Sequence, residues 1–308
     1  MITVAPPMIA VPVDGGELAV GVWNDTVPGQ PAVLAIHGIT ANHRCWPLVA
    51  ERLPAVRIIA PDLRGRGASN TLSAPFGLEQ HARDLVAALD HVGEQRVVVM
   101  AHSMGAFVAV LLAARFPERV AALVLVDGGL PLELPAGQQP QSLDHTAILG
   151  PAAQRLSMQF ESSESYRDFW RQHPAFHDHW NAVVEGYVDY DLQGTAPHLR
   201  PSGVLAAVSA DVVELYGGAE YEDALASIHA PTTFLRAARG LLDEPQALYP
   251  AGRALREPTI TGMQVVEVDD VNHYTIVFGA VGADAIASSV RSALLDGVAI
   301  ETERMESA

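Results

Sequence analysis

Val97-Val98-Val99-Met100-Ala101-His102-Ser103-Met104-Gly105-Ala106-Phe107-Val108 is the stretch that decides how this chain is built. Val97 to Met100 is apolar throughout, as expected of a strand covered on both faces of a parallel sheet. Phe107 to Arg115 then reads as a buried helix, stopped by Pro117. Between the two stands a serine with small residues, Ala101 and Gly105, two positions away on each side. A sharp strand-to-helix turn demands small neighbours there and lifts the hydroxyl clear of the sheet, which makes Ser103 a candidate nucleophile. Ala101 stands where glycine is commoner, a departure that the need for a small residue tolerates.

The same rhythm extends outward in both directions. Asp14-Gly15-Gly16 is a tight-turn signal inside a hairpin over residues 8–23. Ala32 to Ile36, Val56 to Ala60 and Leu123 to Val126 are further unbroken apolar runs, and Glu79 to Val92 carries Leu85, Val86 and Leu89 on one helical stripe. Strand, helix and strand in alternation predict a layered α/β fold with a mostly parallel central sheet flanked by helices. The alternation breaks near residue 131. Residues 131–230 read as helix and loop, hold 14 acids against four arginines, and include Phe160, Tyr166, Phe169, Trp170, Phe176, Trp180, Tyr187 and Tyr190. They are expected to form an inserted, mainly helical cap, with residues 1–130 and 231–308 as the core. The sheet resumes with Thr232 to Arg236 and Gln264 to Val268, and a helix over residues 280–295 closes the domain before a frayed polar tail.

Composition removes several function classes. All 19 cations among the 308 residues are arginine, which excludes Schiff-base chemistry and a phosphate-loop lysine. A formal charge of −17 argues against nucleic-acid and anionic-membrane partners. One cysteine, Cys45, allows no intramolecular disulfide, and no apolar run reaches the ~20 residues of a membrane span. The N-terminal residues lack the pattern of a signal peptide, so a cytoplasmic setting is the expectation. No glycine fingerprint follows a strand, so no dinucleotide cofactor is expected.

Two further loops complete a chemical constellation. His37-Gly38-Ile39-Thr40 follows a strand, and its Ile39 N–H, with the Met104 N–H after the serine, could cradle a developing oxyanion. His37 itself reads as a loop-packing residue, and His102 as one lining the turn. Among 12 histidines, His273 follows the last apolar run, in Asp269-Asp270-Val271-Asn272-His273-Tyr274, where a base for Ser103 belongs.

Strand-His-Gly, then Pro61-Asp62-Leu63-Arg64-Gly65-Arg66-Gly67-Ala68-Ser69, then His-Ser-Met-Gly, then a late histidine resembles the α/β-hydrolase superfamily. The resemblance covers nearly everything outside the insert and implies a Ser-His-acid triad without a cofactor or metal. Arg64 to Ser69 would be a turn at the site floor. In most of the family the acid follows the strand after the cap, where this chain has Gly240, with Asp243 about three residues late. The alternative is Asp127, closing Leu123 to Val126. Haloalkane dehalogenases and zearalenone-type lactonases resemble that layout, with the acid on the earlier strand. Asp127 is therefore preferred, with Asp243 the alternative. His173-Pro174-Ala175-Phe176-His177-Asp178-His179 is dense in potential metal ligands, but Pro174 disturbs a helix there and no further His or Cys completes a set.

The expectation is a serine hydrolase acting through an acyl-enzyme on a small-molecule substrate, a neutral, apolar carboxylic ester or lactone. Ser103 in place of an aspartate disfavours the dehalogenase and epoxide-hydrolase branches. Cofactor-free carbon–carbon bond hydrolysis, perhydrolysis and a non-catalytic ligand receptor remain alternatives on the same fold, and a homodimer remains open as the assembly.

Overall fold

The computed structural model describes residues 5–133, 139, 149–253 and 260–306, with the side chains of 297–306 left out. The hairpin β1 (Met8–Val13) and β2 (Gly16–Trp23) leads into β3 (Ala32–Ile36), helix α1 (Pro47–Arg52) and β4 (Arg57–Pro61). Helix α2 (Leu78–His91), β5 (Val97–His102), α3 (Met104–Arg115) and β6 (Val120–Val126) follow. β9 (Thr232–Ala237), β10 (Gln264–Val268), α9 (Thr275–Phe278) and α10 (Ala280–Glu306) close the chain.

Eight strands form one sheet in the order β1-β2-β4-β3-β5-β6-β9-β10, parallel except where β2 pairs antiparallel with β1 and β4. Alternation along each strand splits the core into two layers. Leu34, Ile36, Val99, Ala101, Leu123 and Leu125 face α2 and α3. Val33, Ala35, Val98, Met100, Val124 and Val126 face α1 and α10 on the other side. This two-sided burial is why the strands read as unbroken apolar runs. α3 is apolar nearly all round because it is buried on every side, with ten residues from Met104 to Ala113 inaccessible or nearly so.

The strand order reverses direction between β3 and β5: the chain leaves β3 for β4 on one side and β5 for β6 on the other. Loops at the carboxyl ends of those two strands therefore diverge and open a crevice, the usual ligand position in an open α/β sheet. His37 to Thr40 and His102-Ser103 form its two lips.

Between β6 and β9 the described chain makes no strand of the main sheet. It forms α4 (Pro151–Gln154), α5 (Ser163–Arg171), α6 (Ala182–Asp191), α7 (Leu205–Glu214) and α8 (Ala219–Ala226). The expected cap also covers 134–138 and 140–148, which lie outside the described residues. Two features differ from the sequence reading. A small antiparallel pair, β7 (Leu192–Gln193) with β8 (Arg200–Pro201), stands in the insert, extended by a bridge from Phe160 to Leu199. Two-residue strands are too short to show periodicity. The final helix runs to Glu306 rather than ending near 295 in a frayed tail. Polarity alone does not stop a helix, and Val298 to Glu306 contains neither Gly nor Pro.

Candidate active site

Ser103 sits between β5 and α3 at φ 56° and ψ −125°, a strained backbone that few non-glycine residues adopt. The turn closes because Gly105 has no side chain: a Cβ there would collide with the Ile36 carbonyl oxygen and lie 2.6 Å from that of His37. Both are backbone atoms, so neither could move aside.

His273 lies in the loop between β10 and α9 and reaches Ser103 across 170 residues of sequence. Its Nε2 is 3.1 Å from Ser103 Oγ, and its Nδ1 is 2.7 Å from Asp127 Oδ2. A carboxylate only accepts, so Nδ1 carries the proton and Nε2 is left free to accept from the serine hydroxyl. Asp127 follows β6, fully buried, at φ 46°. Its N–H donates to the Leu235 carbonyl at 2.8 Å, and the Ala237 N–H donates to its Oδ1 at 3.1 Å. Both carboxylate oxygens are thus occupied and the ring of His273 has one orientation.

Asp243 is placed elsewhere. Its carboxylate takes a two-pronged contact from Arg239, at 2.8 and 3.0 Å, and a 3.1 Å hydrogen bond from Asn272 Nδ2. The Arg239 hydrogen bonds hold its pKa below the ordinary carboxylate value. Gly240 occupies the position opposite His273, whose N–H points to the Gly240 carbonyl at 3.4 Å. A Cβ on Gly240 would meet the Glu244 carboxylate and lie 2.7 Å from the Gln246 carbonyl, so no acid fits there without rebuilding the loop.

Across the crevice, Ile39 and Met104 present backbone N–H groups with no acceptor among the described residues. The loop that carries Ile39 is pinned at successive carbonyls. His37 Nδ1–H donates to Gly38 O at 2.8 Å while its Nε2 accepts the Leu63 N–H at 2.9 Å. Burial lowers the His37 pKa to about 4, so the ring is a neutral bridge rather than an acid or base. The Gly38 carbonyl and the Ile39 N–H share one peptide plane and point in opposite directions, so fixing the first aims the second. Arg66 Nε donates to Ile39 O at 2.9 Å, and Arg66 Nη2 pairs with Asp211 of α7 at 2.6 Å, both groups fully buried.

His102 lines the cavity beside Ser103, with its Nε2–H donated to the His273 carbonyl at 2.9 Å. Burial, with His273 nearby, pushes its pKa well below the usual histidine value, so it stays neutral. Asp62 is engaged in structure: it receives the His43 backbone N–H at 2.8 Å, His43 Nδ1 at 2.9 Å and the Tyr190 hydroxyl at 2.6 Å. Burial would raise its pKa, yet His43 holds it down at about 2.

The cavity over Ser103 spans about 740 Å³ when the solvent-open space at its mouth is counted with it. Leu132, Leu149, Leu215, Leu241, Leu248 and Phe278 are among the residues of its wall, and no Asp, Glu or Arg side chain among the described residues lines it. Of the insert's aromatics, Tyr187 lines the cavity, whereas Tyr166, Trp170 and Phe176 pack with Phe278 and Val126 into the layer beneath. His173 packs edge-on to Tyr274 at 5.2 Å between ring centres, and His177 is exposed beside Asp178. Sequence reasoning missed Arg155 and the leucines of the wall, and took Arg66 only as part of a turn at the site floor. A buried arginine carries no local signature, and those leucines come from segments far apart in the chain.

A family model described as the alpha/beta hydrolase fold matches residues 31–280. Over 107 residues the chain is 46% identical to Lipase LipV of Mycobacterium tuberculosis, which covers 34% of this chain and 41% of that one. Over 122 residues it is 34% identical to 2-hydroxy-6-oxononadienedioate/2-hydroxy-6-oxononatrienedioate hydrolase of Burkholderia vietnamiensis, covering 38% and 42% of the two chains. The chain thus spans about two fifths of the length of these curated relatives. Among solved structures, the thioesterase domain from the curacin biosynthetic pathway aligns with a TM-score of 0.73 and 24% identity over 93% of this chain and 99% of that one, a likeness of fold. No described helix is long and apolar enough to cross a membrane.

Proposed function

Because this chain belongs to the alpha/beta hydrolase family, we propose that Ser103, His273 and Asp127 hydrolyse a neutral, apolar carboxylic ester or lactone through an acyl-enzyme. The observation that carries this reading is the continuous relay from Ser103 Oγ to His273 Nε2 at 3.1 Å and from His273 Nδ1 to Asp127 at 2.7 Å, at the floor of an uncharged cavity. His273 takes the serine proton as Oγ attacks the substrate carbonyl. Asp127 holds the tautomer and stabilises the imidazolium that forms. The Ile39 and Met104 N–H groups hold the tetrahedral oxyanion, and His273 then passes its proton to the leaving alcohol. Water, activated by the same imidazole, releases the acid.

The wall sets the substrate class. A charged group would lose its hydration against leucine and phenylalanine with no counter-ion to replace it. The dioate of the Burkholderia relative's name has two carboxylates, and no arginine among the described residues lines this cavity to receive either. A long-range field adds to this, since the chain carries −17 overall. Residues 131–230 act as a cap on the core, and the protein works in the cytoplasm without metal or cofactor. The test compares p-nitrophenyl butyrate with the anionic mono-p-nitrophenyl ester of succinate at low ionic strength. A neutral preference of at least about tenfold in kcat/KM, with both activities lost in Ser103→Ala, is expected. Equal rates, or activity surviving in Ser103→Ala, would overturn the reading.

A further inference from the structure

Arg155 lies just after α4 in the insert, fully buried. Each of its three nitrogens donates a hydrogen bond. Nε donates to the Tyr166 hydroxyl at 2.8 Å, and Nη1 to the carbonyl of Ala152. Nη2 is shared between Asp191 Oδ2 at 2.9 Å and the Thr40 carbonyl at 2.8 Å. The guanidinium also stands 4.9 Å over the Trp170 ring. Asp191 and Tyr166 already neutralise and satisfy a buried cation, as burial requires. The bond to Thr40 is additional, and it leaves the insert for the oxyanion loop.

That bond completes a series. The carbonyls of Gly38, Ile39 and Thr40 are consecutive, and each is held by a different side chain: His37, Arg66 and Arg155. The first two come from the core and the third comes from the insert. Thr40 also lines the cavity, so the loop segment that Arg155 grips is the one beside the substrate. The Thr40 carbonyl shares a planar peptide with the Ala41 N–H, which donates to the Gly38 carbonyl at 3.1 Å, and that carbonyl shares its own peptide with the Ile39 N–H, so a restraint on Thr40 reaches Ile39.

We propose that Arg155 is a positioning residue that couples seating of the insert to alignment of the Ile39 N–H, so that the oxyanion donors are in register only while the insert is docked. This rests on the reading of Ser103 as an ester-hydrolysing nucleophile. Substrate binds chiefly through the leucine wall, so losing the coupling lowers kcat more than it raises KM. A misplaced donor typically costs about 10- to 100-fold in rate.

The experiment follows p-nitrophenyl butyrate hydrolysis, n-butylboronic acid affinity and thermal unfolding in the full chain. The variants are Arg155→Met, Arg155→Ala and the double variant Arg155→Met/Asp191→Asn, which removes both buried charges and so keeps a foldable protein if Arg155→Met alone is unstable. The asparagine side chain of the double variant retains an oxygen for Ser202, whose hydroxyl bonds Asp191 Oδ1 at 2.6 Å. The expected result is a kcat reduced about 10- to 100-fold with KM within about threefold. Boronate, whose tetrahedral adduct occupies the oxyanion position, should weaken in parallel, and millimolar methylguanidinium should restore part of the Arg155→Ala rate. Any variant folded at the assay temperature with wild-type kcat, or with a raised KM alone, overturns the proposal. A wild type that hydrolyses no ester and binds no boronate refutes the Ser103 reading and this inference with it. Active wild type with unaffected variants refutes this inference alone.

Discussion

Replacing Asp127 with asparagine exchanges one carboxylate oxygen for an amide, yet the consequence at Ser103 is large. In the wild type Asp127 Oδ2 accepts the Nδ1–H of His273 at 2.7 Å, and Oδ1 accepts the Ala237 N–H at 3.1 Å. An asparagine keeps its oxygen toward Ala237, since an NH2 group there would face another donor. The amide nitrogen then faces His273 Nδ1 and forces the proton onto Nε2. Nε2–H cannot accept from Ser103 Oγ, 3.1 Å away, so the serine loses its base while every heavy atom stays in place. Loss of the tautomer and of imidazolium stabilisation should lower kcat by about 10⁴, or about 5.5 kcal/mol of barrier. The fold should persist, because the Ala237 contact and the shape are retained. Asp243→Asn is the control. That carboxylate is about one-third exposed and paired with Arg239, so its neutralisation should cost no more than about threefold. Steady-state hydrolysis of p-nitrophenyl butyrate, with circular dichroism to confirm folding, compares the two. A loss of less than about tenfold in Asp127→Asn, or an equally deep loss in Asp243→Asn, would refute the assignment of the acid.

Buried histidines set the acid limit of stability. His37 titrates at about 4 when folded against 6.5 when unfolded, so the unfolded chain takes up its proton first as pH falls. The stabilisation is complete above about pH 6.5, declines by about 2 kcal/mol at pH 5 and levels off near about 3 kcal/mol below pH 4. Urea melts at pH 7 and pH 5 should show that decline, shallower in His37→Asn; equal slopes in the two proteins would count against the buried neutral ring. Gly105→Val tests the packing of the turn. The added side chain meets two backbone carbonyls, so unfolding free energy should fall by more than about 3 kcal/mol, and a variant with wild-type melting behaviour would contradict the close approach.

Much of this arrangement was legible because the physics is local. A sheet covered on both faces makes unbroken apolar runs, and a serine raised on a tight turn imposes small residues on either side of it. That His273 meets Asp127 and not Asp243 has one trace in the sequence: Gly240 stands where most of the family carries its acid. What stayed hidden is non-local. Arg155 and Asp211 look like surface charges in sequence and Arg66 like part of a floor turn, and only the packed structure shows that they fasten the insert to the loop of Gly38 to Thr40. The β7–β8 pair is shorter than one period of its own pattern. The leucines of the cavity wall stand at residues 132, 149, 215, 241 and 248, which no sequence window contains together.

Intact-protein and peptide mass spectrometry after brief exposure to a neutral alkyl fluorophosphonate tests the nucleophile most directly. One phosphonyl group per chain, located on Ser103 and absent in His273→Ala, is the expected result. Stoichiometric labelling at any other residue, or undiminished labelling of Ser103 without His273, would contradict it.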